Sequence, residues 1–311
     1  MGVELLKSKG YEVVVNSEDR VLTKDELIAE LKGHGYDAVL CLLTDTIDAD
    51  VIESSQPTVR IFANYAVGFD NIDVETAKQK GIIVTNTPDV LTHTVAEHTF
   101  ALILAIAHRV PEADRFVRAG KYHGWKPMML LGSDVSGKIL GIVGCGRIGS
   151  RVAHHAVKGF DMKVFYHDTQ RHEEFETEYG AVFIETLDEL LKTADIVSIH
   201  VPLMPTTHHL IGETQLKMMK PTAYLINTSR GPIIDEVALA TALHDKTIRG
   251  AALDVFEFEP NITPELLELD NIILTPHIAS ATEETRNKMA MLAAQNIIAV
   301  LEGQTPLNAI K

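Results

Sequence analysis

Three residues with the side chains needed for acid–base chemistry and anion binding follow separate apolar runs late in the chain. Arg230, Glu259 and His277 each lie at or just past the end of such a run. An imidazole can exchange a proton near neutral pH, a carboxylate can orient it, and a guanidinium can bind a carboxylate through two hydrogen bonds. A lone Arg or His at such a place is usually a surface or structural residue. Three at successive strand ends predict a catalytic edge, because ligands of parallel sheets bind there.

A glycine-rich turn precedes these residues, with the sequence Gly144-Cys-Gly-Arg-Ile-Gly149 between a strand-like and a helix-like run. Gly144 permits the turn, Gly146 lets the backbone approach a pyrophosphate, and Gly149 lets the helix pack closely on the strand. The free N–H groups at the start of the helix attract phosphate. The pattern therefore predicts a dinucleotide site. A tight turn without a ligand and a methyltransferase turn are the alternatives.

An acidic residue stands where a dinucleotide turn requires one. Asp168 follows the next strand-like run, nineteen residues after Gly149. Its carboxylate can accept hydrogen bonds from the adenosine ribose hydroxyls and would repel a 2′-phosphate. The sequence thus predicts NAD as the cofactor, with NADH preferred and NADP possible, since Arg171 could soften the preference.

Short apolar runs alternate with helical segments through the middle of the chain. These runs are apolar on both faces, as strands covered on both sides must be. The predicted strands are Ile139–Val143, Lys163–His167, Asp195–Val201, Ala223–Thr228, Gly250–Val255 and Asn271–Thr275. Repetition of strand and helix predicts a parallel, doubly wound α/β sheet.

The first ninety residues repeat this pattern on a smaller scale. The strands predicted there are Tyr11–Val15, Asp37–Leu43, Val59–Ala63 and Gly81–Thr85. Long helices are predicted at 93–107 and 283–301. Because no strand follows the last helix, we expect it to pack on the first domain. The predicted domains are therefore 1–90 with 284–311, and 91–283.

Composition argues against several kinds of partner. The 311 residues carry 28 Lys and Arg against 43 Asp and Glu, a formal net charge of −15. So acidic a surface repels nucleic acid and anionic lipid, and the longest apolar run, Phe100–Ala107, is too short to span a bilayer. Two cysteines far apart favour a reducing, cytoplasmic compartment. The apolar stretches Phe100–Ala107 and Val110–Val117 together predict a homodimer.

Longer motifs resemble those of one enzyme family. They are Asn64-Tyr-Ala-Val-Gly-Phe-Asp-Asn-Ile-Asp73, Asn86-Thr-Pro-Asp-Val-Leu-Thr92, Val95-Ala-Glu97, Gly144–Gly149, Asn227–Gly231, Leu253-Asp-Val-Phe-Glu257, Glu259-Pro260 and Thr275-Pro-His-Ile278. With its Arg, Glu and His spaced by 29 and 18 residues, the chain looks like a D-isomer-specific 2-hydroxyacid dehydrogenase. Leu42-Leu-Thr-Asp45 and Trp125-Lys-Pro-Met128 resemble its glyoxylate/hydroxypyruvate reductase branch.

The resemblance implies a fold and a reaction. The fold would be two doubly wound Rossmann-like domains, with a larger NAD-binding domain inserted in a smaller flavodoxin-like substrate domain. The reaction would be NAD(P)H-dependent reduction of a small 2-oxo acid, glyoxylate or hydroxypyruvate, to the D-2-hydroxy acid. His277 would donate the proton, Glu259 would hold its tautomer and its charge, and Arg230 would bind the substrate carboxylate.

The resemblance also implies the binding residues. The backbone amides of Val67 and Gly68 would bind the carboxylate together with Arg230 and His277, and Asp254 would line the nicotinamide pocket. The implied cofactor site comprises Gly144, Gly146, Arg147, Ile148, Gly149, Asp168, Val201, Pro202, Thr207, Thr228, Ser229, Arg230, Asp254, His277 and Ala279. No metal is expected, because the adjacent histidine pairs lack the spacing of metal ligands.

Two alternative functions stay open. One is a short-form D-3-phosphoglycerate dehydrogenase or another D-2-hydroxyacid dehydrogenase. The other, from a different class, is an NAD-sensing co-repressor that binds peptides. The chain departs from the family at one point, because Gly2–Gly10 has helical spacing where the family opens with a strand. Either the printed start is an internal methionine or the small sheet is rearranged.

Overall fold

A computed structural model describes residues 1–18 and 20–310. The chain forms two compact units, one of Met1–Leu91 with the chain from Ala281 onward, and one of Thr92–Ser280. Each unit contains its own parallel sheet.

Strands and helices are numbered along the chain. The strands are β1 (Ala38–Cys41), β2 (Ile61–Asn64), β3 (Ile83–Thr85), β4 (Ile139–Val143), β5 (Lys163–His167), β6 (Val182–Phe183), β7 (Ile196–Ile199), β8 (Tyr224–Asn227), β9 (Gly250–Leu253) and β10 (Ile272–Leu274). The α-helices are α1 (Gly2–Ser8), α2 (Lys24–His34), α3 (Ala49–Ser54), α4 (Val74–Gln79), α5 (Thr92–Ala107), α6 (Val110–Arg118), α7 (Arg147–Phe160), α8 (Glu173–Tyr179), α9 (Leu187–Thr193), α10 (Glu213–Met218), α11 (Glu236–His244), α12 (Pro264–Leu267) and α13 (Glu283–Leu301).

The smaller unit is built on three parallel strands in the order β1-β2-β3. Successive side chains of a strand face opposite sides of the sheet. Accordingly, Ile61 and Ala63 pack with Leu6 of α1 and Ile297 of α13, whereas Phe62 packs with the helices α2 to α4 on the other side. The final helix thus covers one face of the small sheet.

One predicted strand is wrong. Tyr11–Val15 has no strand partner among the described residues and is irregular. Val14 and Val15 are 59% and 60% exposed, and only Tyr11 and Val13 contact the core of the small unit. A run of β-branched residues favours extended backbone, but without a neighbouring strand its N–H and C=O groups find no ladder partner. The small sheet therefore begins after α2.

The larger unit contains seven parallel strands in the order β10-β9-β8-β7-β4-β5-β6. The strand order reverses between β4 and β7, and ligands of such sheets bind at the carboxyl ends beside this reversal. Both faces are buried, since Ile196 packs in one core and Val197 in the other. The predicted doubly wound α/β fold is confirmed.

The strand bounds show where regular structure gives way to functional loops. β4 and β5 coincide with the predictions, whereas the four later strands are shorter than predicted. The trimmed residues include Val201, Thr228 and Asp254, which belong to the loops at the carboxyl edge. The edge strand β6 was not predicted, because two residues carry no periodic signal.

The burial of helix α5 contradicts part of the sequence argument for a homodimer. Phe100, Leu102, Ile103 and Ile106 are buried in the core of their own unit. The run at 100–107 therefore supplies little exposed apolar surface, since Ala101 is its one exposed residue and Leu104 and Ala105 are half-buried. In α6, by contrast, no residue is buried. Within the described chain, no helix is both long enough and apolar enough to cross a membrane.

Candidate active site

His277 and Glu259 form a hydrogen-bonded pair in the larger unit. His277 Nδ1 lies 2.9 Å from Glu259 Oε2, and Phe256 N donates to Glu259 Oε1 at 2.9 Å. Burial opposes ionisation of Glu259, but these hydrogen bonds and the positive charges of His277 and Arg230 outweigh it and hold the pKa of its carboxyl below the usual value. An ionised carboxylate only accepts, so Nδ1 carries the hydrogen and Nε2 is the nitrogen available to a ligand.

The loop that carries His277 is held by Asp254. This residue directly follows β9, and its side chain is fully buried. Its carboxylate accepts hydrogen bonds from Ile278 N at 2.9 Å and Ala279 N at 2.7 Å, and its backbone oxygen accepts from His277 N at 2.8 Å. These bonds bracket His277, whose φ of +54° is uncommon for a residue with a side chain. Asp254 therefore fixes the backbone on both sides of the imidazole.

The Arg230 loop lies against the segment that carries Glu259. Asn227 shapes it, since its side chain accepts from Ser229 N at 3.0 Å and donates to Arg230 O at 2.9 Å. A Cβ on Gly231 would lie 1.9 Å from the backbone of Phe256, so only glycine permits this approach. The positive charge of Arg230 contributes to lowering the pKa of the Glu259 carboxyl. The larger unit thus brings the three predicted catalytic residues together.

The glycine turn has the shape that a dinucleotide needs. Gly144 has a φ of +94°, and its Cβ would meet the backbone of His200 at 2.8 Å. A Cβ on Gly149 would lie 2.2 Å from Gly144 O, whereas one on Gly146 would meet nothing within 4 Å. Protein packing therefore requires the first and third glycines, while the second leaves open space at the start of α7. These residues fit a bound pyrophosphate.

Asp168 braces this turn from the end of β5. Its Oδ2 accepts from Cys145 N at 2.7 Å, and its Oδ1 from Thr169 Oγ1 at 3.1 Å. Burial raises the pKa of the Asp168 carboxyl, but the hydrogen bonds from Cys145 and the residues that follow Asp168 outweigh it, so the pKa is lowered. A carboxylate is thus present beside the turn.

The other residues of the implied cofactor site tie neighbouring loops together. Ser229 Oγ donates to Val201 O, and Thr207 Oγ1 donates to Pro202 O at 2.6 Å. Thr228 Oγ1 lies 2.9 Å from Thr99 Oγ1 in the interior. Arg147 and Ile148 are the first two residues of α7. Beside the turn, burial lowers the pKa of His200 to about 3, so this imidazole is neutral.

Val67 and Gly68 belong to the smaller unit. Asn86 Nδ2 donates to Val67 O at 2.8 Å, and Thr87 N donates to Ala66 O at 2.8 Å. The C=O and N–H of a trans peptide point in opposite directions, so these bonds turn the N–H groups of Gly68 and Val67 away from their donors. The loop therefore fixes two adjacent amides of the kind that bind a carboxylate.

Sequence reasoning missed two residues that support the catalytic loops. His98 on α5 lies 3.4 Å from Asp254 Oδ1 and 3.3 Å from Thr275 Oγ1, and its signal was a histidine inside an apolar helix. Glu236 at the start of α11 is 1% exposed and binds the segment around Glu259. An acidic residue in a first helical turn is typical of an exposed position, so no signal distinguished it. The described residues contain no cluster of three His, Cys, Asp or Glu side chains able to hold a metal.

Comparison with known proteins agrees with this geometry. The model of the family "D-isomer specific 2-hydroxyacid dehydrogenase, NAD binding domain" matches residues 100–279. A glyoxylate reductase of Korarchaeum cryptofilum (strain OPF8) is 54% identical over 303 residues, which cover 96% of this chain and 90% of the relative.

Two solved structures are similar over most of the chain. A protein from Thermus thermophilus matches with a TM-score of 0.93 and 41% identity, covering 100% of this chain and 96% of its own. An NADPH-dependent glyoxylate/hydroxypyruvate reductase from Sinorhizobium meliloti, solved with NADP and malonate, matches with a TM-score of 0.82 and 33% identity, over 93% of this chain and 86% of that one. The resemblance found in the sequence is confirmed, and the chain belongs to the D-isomer specific 2-hydroxyacid dehydrogenase family.

Proposed function

We propose that this protein reduces a small 2-oxo acid, glyoxylate or hydroxypyruvate, to the corresponding D-2-hydroxy acid with NADH as the reductant. The observation that carries the proposal is the His277–Glu259 pair, held at 2.9 Å beside Arg230 at the edge of a sheet that also carries the glycine turn. Membership of the dehydrogenase family supports the same reaction.

Each residue has a defined task in this proposal. Bound NADH supplies the hydride to the carbonyl carbon. His277 Nε2 donates the proton that the carbonyl oxygen takes up, and Glu259 stabilises the imidazolium before that transfer. Arg230 binds the substrate carboxylate through its planar fork, and the fixed amides of Val67 and Gly68 are the carboxylate-binding groups of the smaller unit.

The two units divide this work. We assign substrate binding to the smaller unit, residues 1–90 with 284–311, because it contains the amides of Val67 and Gly68. NAD binding and proton transfer belong to the larger unit, residues 91–283, whose glycine turn, Asp168 and strand-end loops form the proposed cofactor site. Deletion of 284–311 removes α13 and exposes Ile61 and Ala63, so we expect loss of folded protein by circular dichroism.

NADH is the proposed cofactor in preference to NADPH. An ionised Asp168 repels a 2′-phosphate, and Arg171, three residues later, is already bound to Glu176 through two hydrogen bonds of 2.8 and 2.7 Å. Arg171 is therefore less available to a phosphate than its sequence position suggests. The related S. meliloti enzyme is NADPH-dependent. The preference for NADH proposed for this chain therefore rests on its own Asp168 and Arg171, and not on that relative.

The proposed assembly is a homodimer in the cytoplasm. Tyr122, Trp125, Met128 and Leu131 are exposed by 48% to 78% in the segment after α6, a concentration of apolar surface that a second copy would cover. Light scattering at micromolar concentration should give about twice 34.2 kDa, and a monomer would contradict the dimer. The two cysteines are free and buried, which suits a reducing compartment.

A parallel substrate panel tests the function. The panel contains glyoxylate, hydroxypyruvate, pyruvate and 3-phosphohydroxypyruvate, and NADH oxidation is followed by absorbance. We expect the highest kcat/KM with glyoxylate or hydroxypyruvate. A tenfold preference for the phosphorylated acid would identify a short-form phosphoglycerate dehydrogenase instead. NADH binding without turnover of any of the four acids would contradict the proposal and favour an NAD-sensing protein.

A further inference from the structure

Glu236 binds both ends of the segment that carries Glu259. It is the first residue of α11 and is 1% exposed. Its Oε1 accepts from Glu257 N at 2.7 Å, and its Oε2 accepts from Thr263 Oγ1 at 2.6 Å and Thr263 N at 3.3 Å. One carboxylate therefore fixes positions two residues before and four residues after Glu259.

The same segment is held from the opposite direction. Glu236 N donates to Glu257 Oε2 at 3.1 Å, and Glu257 Oε1 lies 2.6 Å from His209 Nε2. Within the segment, Asn261 N donates to Phe258 O at 2.8 Å. The two glutamates thus bind each other's backbone, and the turn that follows Glu257 carries Glu259, whose carboxylate contacts His277.

Burying a carboxylate is costly unless hydrogen bonds satisfy it. The three donors to Glu236 are two backbone amides and one hydroxyl, all uncharged. Such an arrangement fixes a backbone path, because each oxygen is matched to a particular donor. Glutamine at this position would keep one oxygen but turn an NH₂ toward donors, which breaks one end of the attachment.

We propose that Glu236 is a positioning residue for the acid–base pair. It holds residues 257–263 in place so that Glu259 stays within hydrogen-bonding distance of His277 Nδ1. The inference rests on the proposed function for its catalytic consequence, but the positioning itself is a property of the protein without substrate. A displacement of the reacting groups by about 1 Å can cost roughly 10²-fold in rate.

The first test measures the titration of the His277 ring by NMR in ligand-free protein with ¹³C-labelled histidine, the signal being assigned by its loss in His277→Asn. In Glu236→Gln the titration should move to lower pH by about half a unit or more, because the imidazolium loses part of its carboxylate partner. Asp235→Asn is the matched control. It removes the same charge from the same helix start, where Asp235 caps Ala238 N at 2.9 Å, and should leave the titration unchanged.

The second test is a double-mutant cycle that combines Glu236→Gln or Thr263→Val with Glu259→Gln. Thr263→Val is the milder variant and replaces Glu236→Gln if that protein folds poorly. Thr263→Val removes only the 2.6 Å hydroxyl bond and should move the titration in the same direction by less. In a Glu259→Gln background, neither change should move it further, since both act through Glu259. If Glu236→Gln lowers the Tm but leaves the titration of His277 unmoved, the positioning role is overturned.

Activity separates this inference from the proposed function. Glu236→Gln should lower kcat for 2-oxo acid reduction by about 10- to 100-fold, with NADH affinity unchanged within about twofold. A moved titration in a protein that reduces no 2-oxo acid would leave the positioning role intact and contradict only the function. Full activity with an unmoved titration would contradict the positioning role and leave the proposed function intact.

Discussion

The glycine turn and the catalytic loops lie at the same edge of one sheet, yet they are built in opposite ways. The third glycine of the turn is required by a contact close in sequence, the approach that a Cβ on Gly149 would make to Gly144 O. The catalytic loops are held by side chains that reach far along the chain, since Glu236 binds Thr263 and Asp254 binds Ala279. A local steric rule leaves a readable motif, whereas a distant hydrogen bond does not.

The largest effect should come from the proton donor itself. His277→Ala should reduce kcat by about 10²- to 10⁴-fold, because it removes the proposed proton donor to the carbonyl oxygen. NADH affinity, measured by its fluorescence, should stay within a few-fold, since the glycine turn is untouched. A loss of cofactor binding equal to the loss of kcat would show that the two loops are not independent.

The turn can be tested by two alanine substitutions that differ only in what the new methyl group meets. Gly149→Ala places it 2.2 Å from Gly144 O, so we expect lost stability of about 1–3 kcal/mol and weak NADH binding. Gly146→Ala meets nothing within 4 Å, and its φ of −73° suits any residue. It should keep Tm but raise the Kd for NADH about tenfold or more. Unchanged NADH binding in Gly146→Ala would contradict close approach of a pyrophosphate.

The difference between local steric contacts and distant hydrogen bonds explains which parts of the fold and of the site the sequence predicts. The fold class, β4, β5 and the glycine turn follow from period and local sterics, and the polar residues at strand ends follow from the rule that such ends share an edge. Tyr11–Val15 was wrong because its propensity carried no information about a missing partner strand. Glu236 was missed because burial of an acidic residue depends on the 257–263 segment folding over it. These interactions are long-range, so no window of sequence contains them.

Glu259 tests whether charge or only geometry couples the catalytic loops. Glu259→Gln keeps a hydrogen bond to His277 but removes the negative charge that stabilises the imidazolium. Reduction requires the protonated ring, so its alkaline loss of activity should move to lower pH, with about tenfold lower kcat near neutrality. The measurement is a pH–rate profile in both directions. An unmoved profile would mean that Glu259 and His277 are not coupled.

Asp168 joins the two kinds of construction, because one side chain both braces the turn and faces the proposed ribose site. Asp168→Ala should narrow the preference for NADH over NADPH several-fold by removing repulsion of the 2′-phosphate. It also removes the acceptor of Cys145 N, so NADH affinity should fall at the same time. Asp168→Asn keeps an acceptor and should restore part of that affinity. Equal discrimination in all three proteins would assign the preference to another residue.

The smallest expected effect concerns Arg171, whose position in the sequence suggested phosphate binding and whose side chain is bound elsewhere. Glu176 holds it through two hydrogen bonds and also accepts from Tyr166 Oη at 2.8 Å, and these bonds lower the pKa of Glu176 to about 2. Exposed ion pairs contribute only about 0–1 kcal/mol, so releasing Arg171 should change binding modestly.

Glu176→Gln should therefore lower the Kd for NADPH by about threefold and leave that for NADH unchanged. Glu173→Gln, on the same helix, removes an equal charge without touching the hydrogen bonds of Arg171 and should have no such effect. Adding Arg171→Ala to Glu176→Gln should abolish the gain. If the gain survives without Arg171, or appears equally in Glu173→Gln, the cause is the general charge near the site. The cofactor preference would then depend on Asp168 and the overall field, with no contribution from the Arg171–Glu176 pair.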